Sequence, residues 1–475
     1  MNGELAHLDA TAQADLVRAG EVSARELVEA AIGRVEALNP ALNAVVTPLF
    51  DQALAAAETA AGPFAGVPYL LKDLIAEMAG TPFREGSRLL EGYVSSYDSE
   101  LVVRLRRAGL VVVGKSATPE FGMVPTCEAA VYGPTRNPWD PRRSTSGSSG
   151  GSAAAVASGM VPMAHGNDVG GSLRFPASAC GLFGLKPTRA RNPLGPEYGD
   201  AFGGWGVEHA VTRSVRDSAA LLDATSGPMP GDPYPAPPLA RPLAQEVGAD
   251  PGRLRIAFTS RVPGGRSGHP DAVAAAEDAA LLLESLGHEL VEADLPGLDE
   301  QVGAAIGTVF EAGTAWILAY WVRRLGREPG PDELEPATRE YWEAGRSVPA
   351  AAYLEAVEVL QRFSRVVAGF LTRYDGWLTP TMSAPPRLLG TISGSDRGAE
   401  TVEHPLVVAN ITGNPGMSVP LHWTADALPM GVHVLGRFGD EATLIRLASQ
   451  LEQARPWADR WPEVSVAATV GSAAT

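Results

Sequence analysis

Cysteine is nearly absent from this sequence: Cys127 and Cys180 are the only two among 475 residues. Both stand in apolar surroundings, so two buried thiols in a reducing compartment are expected rather than a disulfide framework. Histidine is thin as well, with eight residues never closer than the 11 positions separating His422 and His433. Without an H-x-x-x-H pair or a Cys/His cluster, neither a metal site nor a cofactor is expected. No run of 18 or more apolar residues occurs, and residues 1–20 lack the apolar core of a signal peptide. The expectation is a cytoplasmic protein with no membrane span. Basic residues are outnumbered 38 to 55, for a formal net charge of -17. A chain so acidic repels phosphate backbones and anionic lipid, which excludes nucleic acid and leaves neutral or cationic small molecules as partners.

What is present is an ordinary globular composition, 45% hydrophobic and 20% charged, on a length that large α/β enzymes use in one domain. Residues 8–60 read as helices: Ser23 and Glu26 form a capping box, and Val28, Ala31, Val35 and Leu38 recur at helical spacing until Asn39-Pro40 stops the pattern. A short apolar strand then ends in Lys72-Asp73. Helix is expected over 101–108, 153–159, 270–286, 303–370 and 441–453, and strand over 110–114, 161–165, 253–260, 288–293, 376–379, 417–421 and 430–435. The alternation argues for an α/β architecture around a central sheet. Residues 225–252, rich in Pro and Gly, read as a surface connection. Trp316, Tyr320 and Trp321 suit either core packing or a pocket wall. The loop 191–208, with Phe202 and Trp205 among glycines, suits either a mobile lid or a plain surface loop.

The run from Ser144 to Ser152 is Gly- and Ser-rich. As composition it matches a flexible linker, but it lies between strands and an apolar helix, and no Gly-Lys-Ser/Thr of a P-loop follows. Twenty-four residues beyond Ser148, Ser172 sits in Gly170-Gly171-Ser172-Leu173-Arg174. Glycines beside a serine let several backbone N–H groups converge on one small volume, which suits an oxyanion. A serine nucleophile needs a base. His165, at the end of an apolar strand, reads as a packed core residue; Lys72, following an apolar strand, can be held neutral by burial.

Together these segments resemble the amidase signature family. The likeness covers Gly66 to Asp73, Ser146 to Thr188, Thr212 to Asp223 and Asn410 to Leu451. It implies an amidase signature fold, a single large α/β domain with a central twisted mixed β-sheet flanked by helices. The implied extent is 1–463, with N-terminal helices over 1–65, a signature core over 66–225, a helical substrate-side region over 297–372 and a disordered tail over 464–475. By position the resemblance makes Lys72 the catalytic base, Ser148 the bridging serine on a cis peptide bond and Ser172 the nucleophile. Val169, Gly170, Gly171 and Ser172 supply the oxyanion hole, with Ser149, Asp168 and Arg174 in support. Ser146 and Asn167 depart from the family's usual residues at positions that touch no catalytic group. Gly122, Met123, Val124 and Pro125 fall at the acyl-pocket wall. In such a relay Lys72 must be neutral near pH 7 although lysine ordinarily titrates at about 10.4.

The implied activity is hydrolysis of C–N bonds in small uncharged amides, extending to anilides, oligoamides and carbamates, by a monomer or homodimer. Two segments, 63–73 and 164–168, resemble bacterial hydrolases of aminohexanoate cyclic dimers. The alternatives are the catalytic subunit of a glutamine-dependent tRNA amidotransferase and a non-catalytic binding protein on the same fold.

Overall fold

A computed structural model describes residues 2–262, 266–392 and 405–468. One mixed sheet of eleven strands runs through it. In spatial order its strands are Val45–Pro48, Val111–Ser116, Pro68–Lys72, Met163–Asp168, Val207–Thr212, Phe183–Lys186, Gly416–Trp423, Pro429–Gly436, Gly376–Pro380, Arg255–Phe258 and Glu289–Glu292. The strands Val111–Ser116, Pro68–Lys72 and Met163–Asp168 are parallel neighbours. In open α/β sheets ligands collect beyond the carboxyl ends of parallel strands, and both Lys72 and Asp168 are the last residues of theirs.

The central strands are buried along their whole length, so they must be covered on both faces, and the helices that cover them follow their sequence closely. Helix Ala24–Leu42 starts at Ser23 with the predicted capping box. It carries Pro40 inside and ends at Asn43, so the Asn39-Pro40 stop expected from sequence falls a turn too early. Helix Gly150–Ser158 is buried throughout; its Ala153, Ala154, Ala155 and Ala157 add little girth, so it can run through the core beside the sheet.

Several expectations are corrected. The interval 8–60 contains the strand Val45–Pro48, and the strands Phe183–Lys186 and Val207–Thr212 fall outside every interval expected to be strand. The interval 303–370 is three helices: Glu300–Leu325, Pro336–Arg346 and Ala350–Leu371. The first is long and apolar enough to cross a bilayer by length and composition. Here it lies on the body with Ile306, Val309, Ile317, Leu318 and Trp321 buried. Residues 464–468 of the expected tail are docked: Val464 N donates to Pro138 O, and Ser465 and Val466 are buried. The remainder, 469–475, lies outside the described residues. Cys127 and Cys180 are free and buried.

Candidate active site

Strand Pro68–Lys72 delivers Lys72 into the interior, where it has no exposed surface. Its Nζ donates to Ser148 Oγ at 2.7 Å and to Asn167 Oδ1 at 2.5 Å. Burial strips the ammonium of water and lowers the pKa to about 7, while Glu208 and, more weakly, Cys127, Asp168 and Glu85 pull it back up. The backbone N–H of Lys72 donates to His165 Nδ1 at 3.2 Å, and His165 Nε2 meets Glu208 Oε2. With Nδ1 accepting, the ring proton belongs on Nε2, donated to the Glu208 carboxylate. His165 is a core residue, as its sequence position suggests, and one that braces the strand end carrying Lys72.

Ser148 follows a cis peptide bond at Gly147–Ser148. The loop around it is packed as tightly as a core. A Cβ on Gly147 would sit 2.6 Å from Thr126 N, and one on Gly151 would sit 2.4 Å from Ala117 N. Those approaches need glycine, so the run 144–152 is a fitted loop and not a linker. Ser149 N donates to Ser172 O at 3.2 Å, tying it to the second loop, and Ser149 Oγ donates to Asn167 O at 3.3 Å.

The second loop is built on Asp168. Its carboxylate accepts from Gly171 N at 2.7 Å and Leu173 N at 3.1 Å, and it holds Arg174 through Nε at 3.0 Å and Nη2 at 2.9 Å. Burial on its own would raise this carboxyl; the Arg174 guanidinium outweighs it and keeps the group well below the usual carboxylate range. Asn410 closes the network, donating to both Asp168 O and Asp168 Oδ1 at 3.0 Å and accepting from Arg174 Nη2 at 2.8 Å. Gly171 therefore does not fit the oxyanion role expected of it, because its N–H is spent on Asp168. The N–H groups of Val169, Gly170 and Ser172 take no protein acceptor among the described residues.

Ser172 lies where two apolar chambers meet. Ser148, Asn167, Leu74, Tyr198, Phe202 and Ile317 line the first. Gly147, Trp205, Ile306, Tyr341 and Val407 line the second. Of the residues predicted to wall the pocket, Gly122 and Met123 face both chambers, and Val124 and Pro125 face the second. Phe202 and Trp205 are buried; a Cβ on Gly313 would meet Phe202 at 2.3 Å, so loop 191–208 is seated on helix Glu300–Leu325. That helix contributes Phe310 to both chambers and Trp316 to the first, while Trp321 is core. Both readings of the aromatics thus apply, to different residues.

Backbone strain concentrates here. Eight non-glycine residues among those described have left-handed φ, and four of them line the first chamber: Ile75 at 64°, Glu85 at 47°, Phe121 at 48° and Phe202 at 53°. Each such residue costs on the order of 1 kcal/mol or more, β-branched Ile75 most. Four groups carry structural weight that sequence reasoning missed: Glu85, Asn167, Glu208 and Asn410. Asn167 is a correction, since it touches Lys72 directly; its departure from the family's usual residue was the available signal. Among the described residues no group of three or more His, Cys, Asp or Glu side chains is disposed to hold a metal ion.

Comparison with known proteins places this geometry in context. The family model "Amidase" matches residues 26–445. The 6-aminohexanoate-cyclic-dimer hydrolase of Paenarthrobacter ureafaciens is 40% identical over 479 residues, covering 96% of both chains. A solved structure of 6-aminohexanoate cyclic dimer hydrolase complexed with substrate superposes with a TM-score of 0.93 at 38% identity, covering 97% of this chain and 99% of that one. A bacterial aryl acylamidase belonging to the amidase signature enzymes superposes with a TM-score of 0.88 at 26% identity, over 95% and 97% of the two chains.

Proposed function

The chain belongs to the amidase signature family and is a hydrolase of amide C–N bonds, and from that premise we propose that it cleaves small uncharged amides, anilides, oligoamides and carbamates through a relay of Lys72, Ser148 and Ser172. One observation carries this reading: a fully buried lysine with a pKa of about 7 donates at 2.7 Å to a serine that shares an apolar cavity with Ser172. Neutral Lys72 takes the Ser148 proton as Ser148 takes that of Ser172, and Ser172 Oγ attacks the substrate carbonyl carbon. The resulting oxyanion accepts from the N–H groups of Val169, Gly170 and Ser172, each such donor being worth roughly 10²–10³ in rate. Collapse breaks the C–N bond, and Ser148 passes the proton to the departing nitrogen. Water then attacks the acyl-enzyme by the same route and releases the acid. A carbamate offers the same carbonyl and leaving nitrogen, so its cleavage requires no further group.

The two chambers meeting at Ser172 suit an acyl arm and an amine arm, and their apolar walls favour uncharged ones. The cyclic-dimer hydrolases and the aryl acylamidase to which the chain is similar support oligoamides and anilides as the substrates to try first. The test is a panel of primary amides, nitroanilides, cyclic and linear oligoamides and aryl carbamates, with Ser172→Ala as the blank. Product release from amides that vanishes in Ser172→Ala is expected. Amides cleaved while every carbamate persists would remove carbamates from the reading, and turnover surviving in Ser172→Ala would remove the relay.

A further inference from the structure

The strands that bring Lys72 and Asn167 together do not stay paired to their ends. Pro68–Lys72 stays paired with Val111–Ser116 as far as Lys72–Ser116, but with Met163–Asp168 only as far as Leu70–Ala164. Met163–Asp168 meanwhile follows Val207–Thr212 to its last residue. Beyond Leu70 the two strands part, and there Lys72 Nζ meets Ser148 Oγ and Asn167 Oδ1. At the same place the backbone N–H of Lys72 donates to a side chain, His165 Nδ1 at 3.2 Å. An imidazole thus spans the parting strands.

His165 is itself fixed from two sides. Its carbonyl accepts from Ser152 Oγ at 2.6 Å, in the helix Gly150–Ser158 just beyond Ser148. Its Nε2 meets Glu208 Oε2. Glu208 stands opposite Asn167 in the antiparallel pair, so its side chain shares a face with that of His165. Both residues are buried and neither lines a chamber, so neither can touch a substrate. Glu208 Oε1 meets no donor among the described residues. A buried carboxyl with an unmet oxygen costs free energy, and what Glu208 does for His165 accounts for its presence. A neutral imidazole has one N–H and one lone pair, and the partner of one nitrogen decides the role of the other. A proton on Nδ1 would set a second donor against the Lys72 N–H. By taking the Nε2 proton, Glu208 keeps Nδ1 an acceptor. Glu208 is also foremost among the charges that oppose the desolvation of Lys72, ahead of Cys127, Asp168 and Glu85. The other titratable groups facing the pair are Tyr69 and His209; burial raises the Tyr69 phenol and lowers His209 to about 3, so neither brings a charge at neutral pH.

We propose that His165 and Glu208 are positioning residues of the relay: Glu208 holds the imidazole in its Nε2–H form, and the imidazole holds the parted end of strand Pro68–Lys72 so that Lys72 Nζ stays between Ser148 and Asn167. This rests on the proposed relay of Lys72, Ser148 and Ser172 and adds to it two residues that never meet the substrate.

The tautomer is read in the unaltered protein, from long-range ¹H–¹⁵N spectra of histidine-labelled enzyme with His165 assigned by its loss in His165→Asn. The Nε2–H form is expected across the pH range of turnover, and the Nδ1–H form would overturn the proposal. Nitroanilide kinetics test the brace. An Asn at 165 carries an oxygen where Nδ1 lies, so His165→Asn should keep most of kcat. His165→Leu offers no acceptor and should lose up to about 10²-fold in kcat, as a displaced catalytic group does, with KM little changed. Equal kcat in the two variants, or a loss confined to KM, would overturn the brace. Glu208→Gln keeps an acceptor for Nε2–H but removes the charge. The acid limb of kcat/KM, set in the parent by Lys72 at about 7, should then move to lower pH, because the ammonium loses a favourable neighbour. A merely loosened interior would admit water to Lys72 and move the limb up instead, so a limb that rises or stays would overturn the part given to Glu208. Turnover surviving in Ser172→Ala would sink the relay and leave the tautomer as found, which separates the two failures. If His165→Leu does not fold, the tautomer and the limb in Glu208→Gln still decide.

Discussion

Lys72 has to be paid for by the rest of the molecule. Lowering its pKa from 10.5 to about 7 corresponds to roughly 5 kcal/mol against folding at neutral pH, because the unfolded chain binds a proton that the buried amine does not. The bonds to Ser148 and Asn167 offset part of that cost. Between pH 7 and about 10 the unfolded state holds more protons at this site, so stability from Lys72 rises with pH; below 7 the folded state also takes the proton and the dependence ends. Lys72→Met removes the site's titration and, with it, the general base. Turnover of an anilide should drop roughly 10²–10⁴-fold. Denaturant unfolding from pH 7 to 10 should show the parent gaining on the variant by about 1.4 kcal/mol per pH unit. A constant difference would mean Lys72 is not held neutral. At this scale the sequence was most readable where a motif is local. Lys72, Ser148 and Ser172 each sit in a distinctive short stretch. Asn167 and Glu85 act through partners 95 and 236 residues away, on Lys72 and Trp321, and no local pattern announces such a contact.

The elements carry the loops, and their reading failed for a physical reason. Val207–Thr212 is a fully buried central strand, but it carries Glu208 and His209 inward. Hydrophobic patterning cannot see a strand whose buried residues include polar ones that meet partners elsewhere in the chain, Glu208 on His165 and His209 on Ser218. Phe183–Lys186 has four residues, one a glycine and one a buried lysine, too short and too mixed for alternation to register. The long helices and the strand Val111–Ser116 were legible because most of their buried residues are apolar, Val111, Val112 and Val113 in the strand. The junction of strand Met163–Asp168 with helix Arg174–Cys180 depends on one ion pair with no exposed surface, Asp168–Arg174 at 2.9 Å. Replacing Arg174 with Met leaves a carboxylate buried without its counter-charge, which costs about 3–5 kcal/mol. It also takes away the anchor of the carboxylate that fixes the Gly171 and Leu173 N–H groups. Arg174→Met should therefore lower the unfolding midpoint and cut kcat, with crystallography showing a displaced Ser172 loop. Undiminished stability would show that the network around Asn410 suffices without the guanidinium.

Across the whole molecule, the groups that react fastest with acylating and alkylating reagents are inside. The sequence has three lysines, Lys72, Lys115 and Lys186, and 35 of its 38 basic residues are arginine. All three lysines have no exposed surface, and both cysteines are buried. Lys115 donates to Pro82 O at 2.6 Å and Lys186 to Pro187 O at 2.7 Å; burial lowers the pKa of each. The Cys127 thiol is pushed up to about 11 by the same cause. The acidic exterior is thus balanced by guanidinium groups, which do not acylate under mild conditions, while the one lysine assigned to chemistry lies behind the cavity wall. The consequence is measurable. Treating the folded protein with an acetylating succinimidyl ester at pH 8 should leave Lys115 and Lys186 unmodified by peptide mass spectrometry, because neither has exposed surface. In denaturant both should acetylate within minutes, on the order expected of free side chains. Modification of either lysine in the folded protein at the denatured rate would mean that the strands Val111–Ser116 or Phe183–Lys186 open locally. The interior position of these amines would then be a transient state of the sheet and not its resting arrangement.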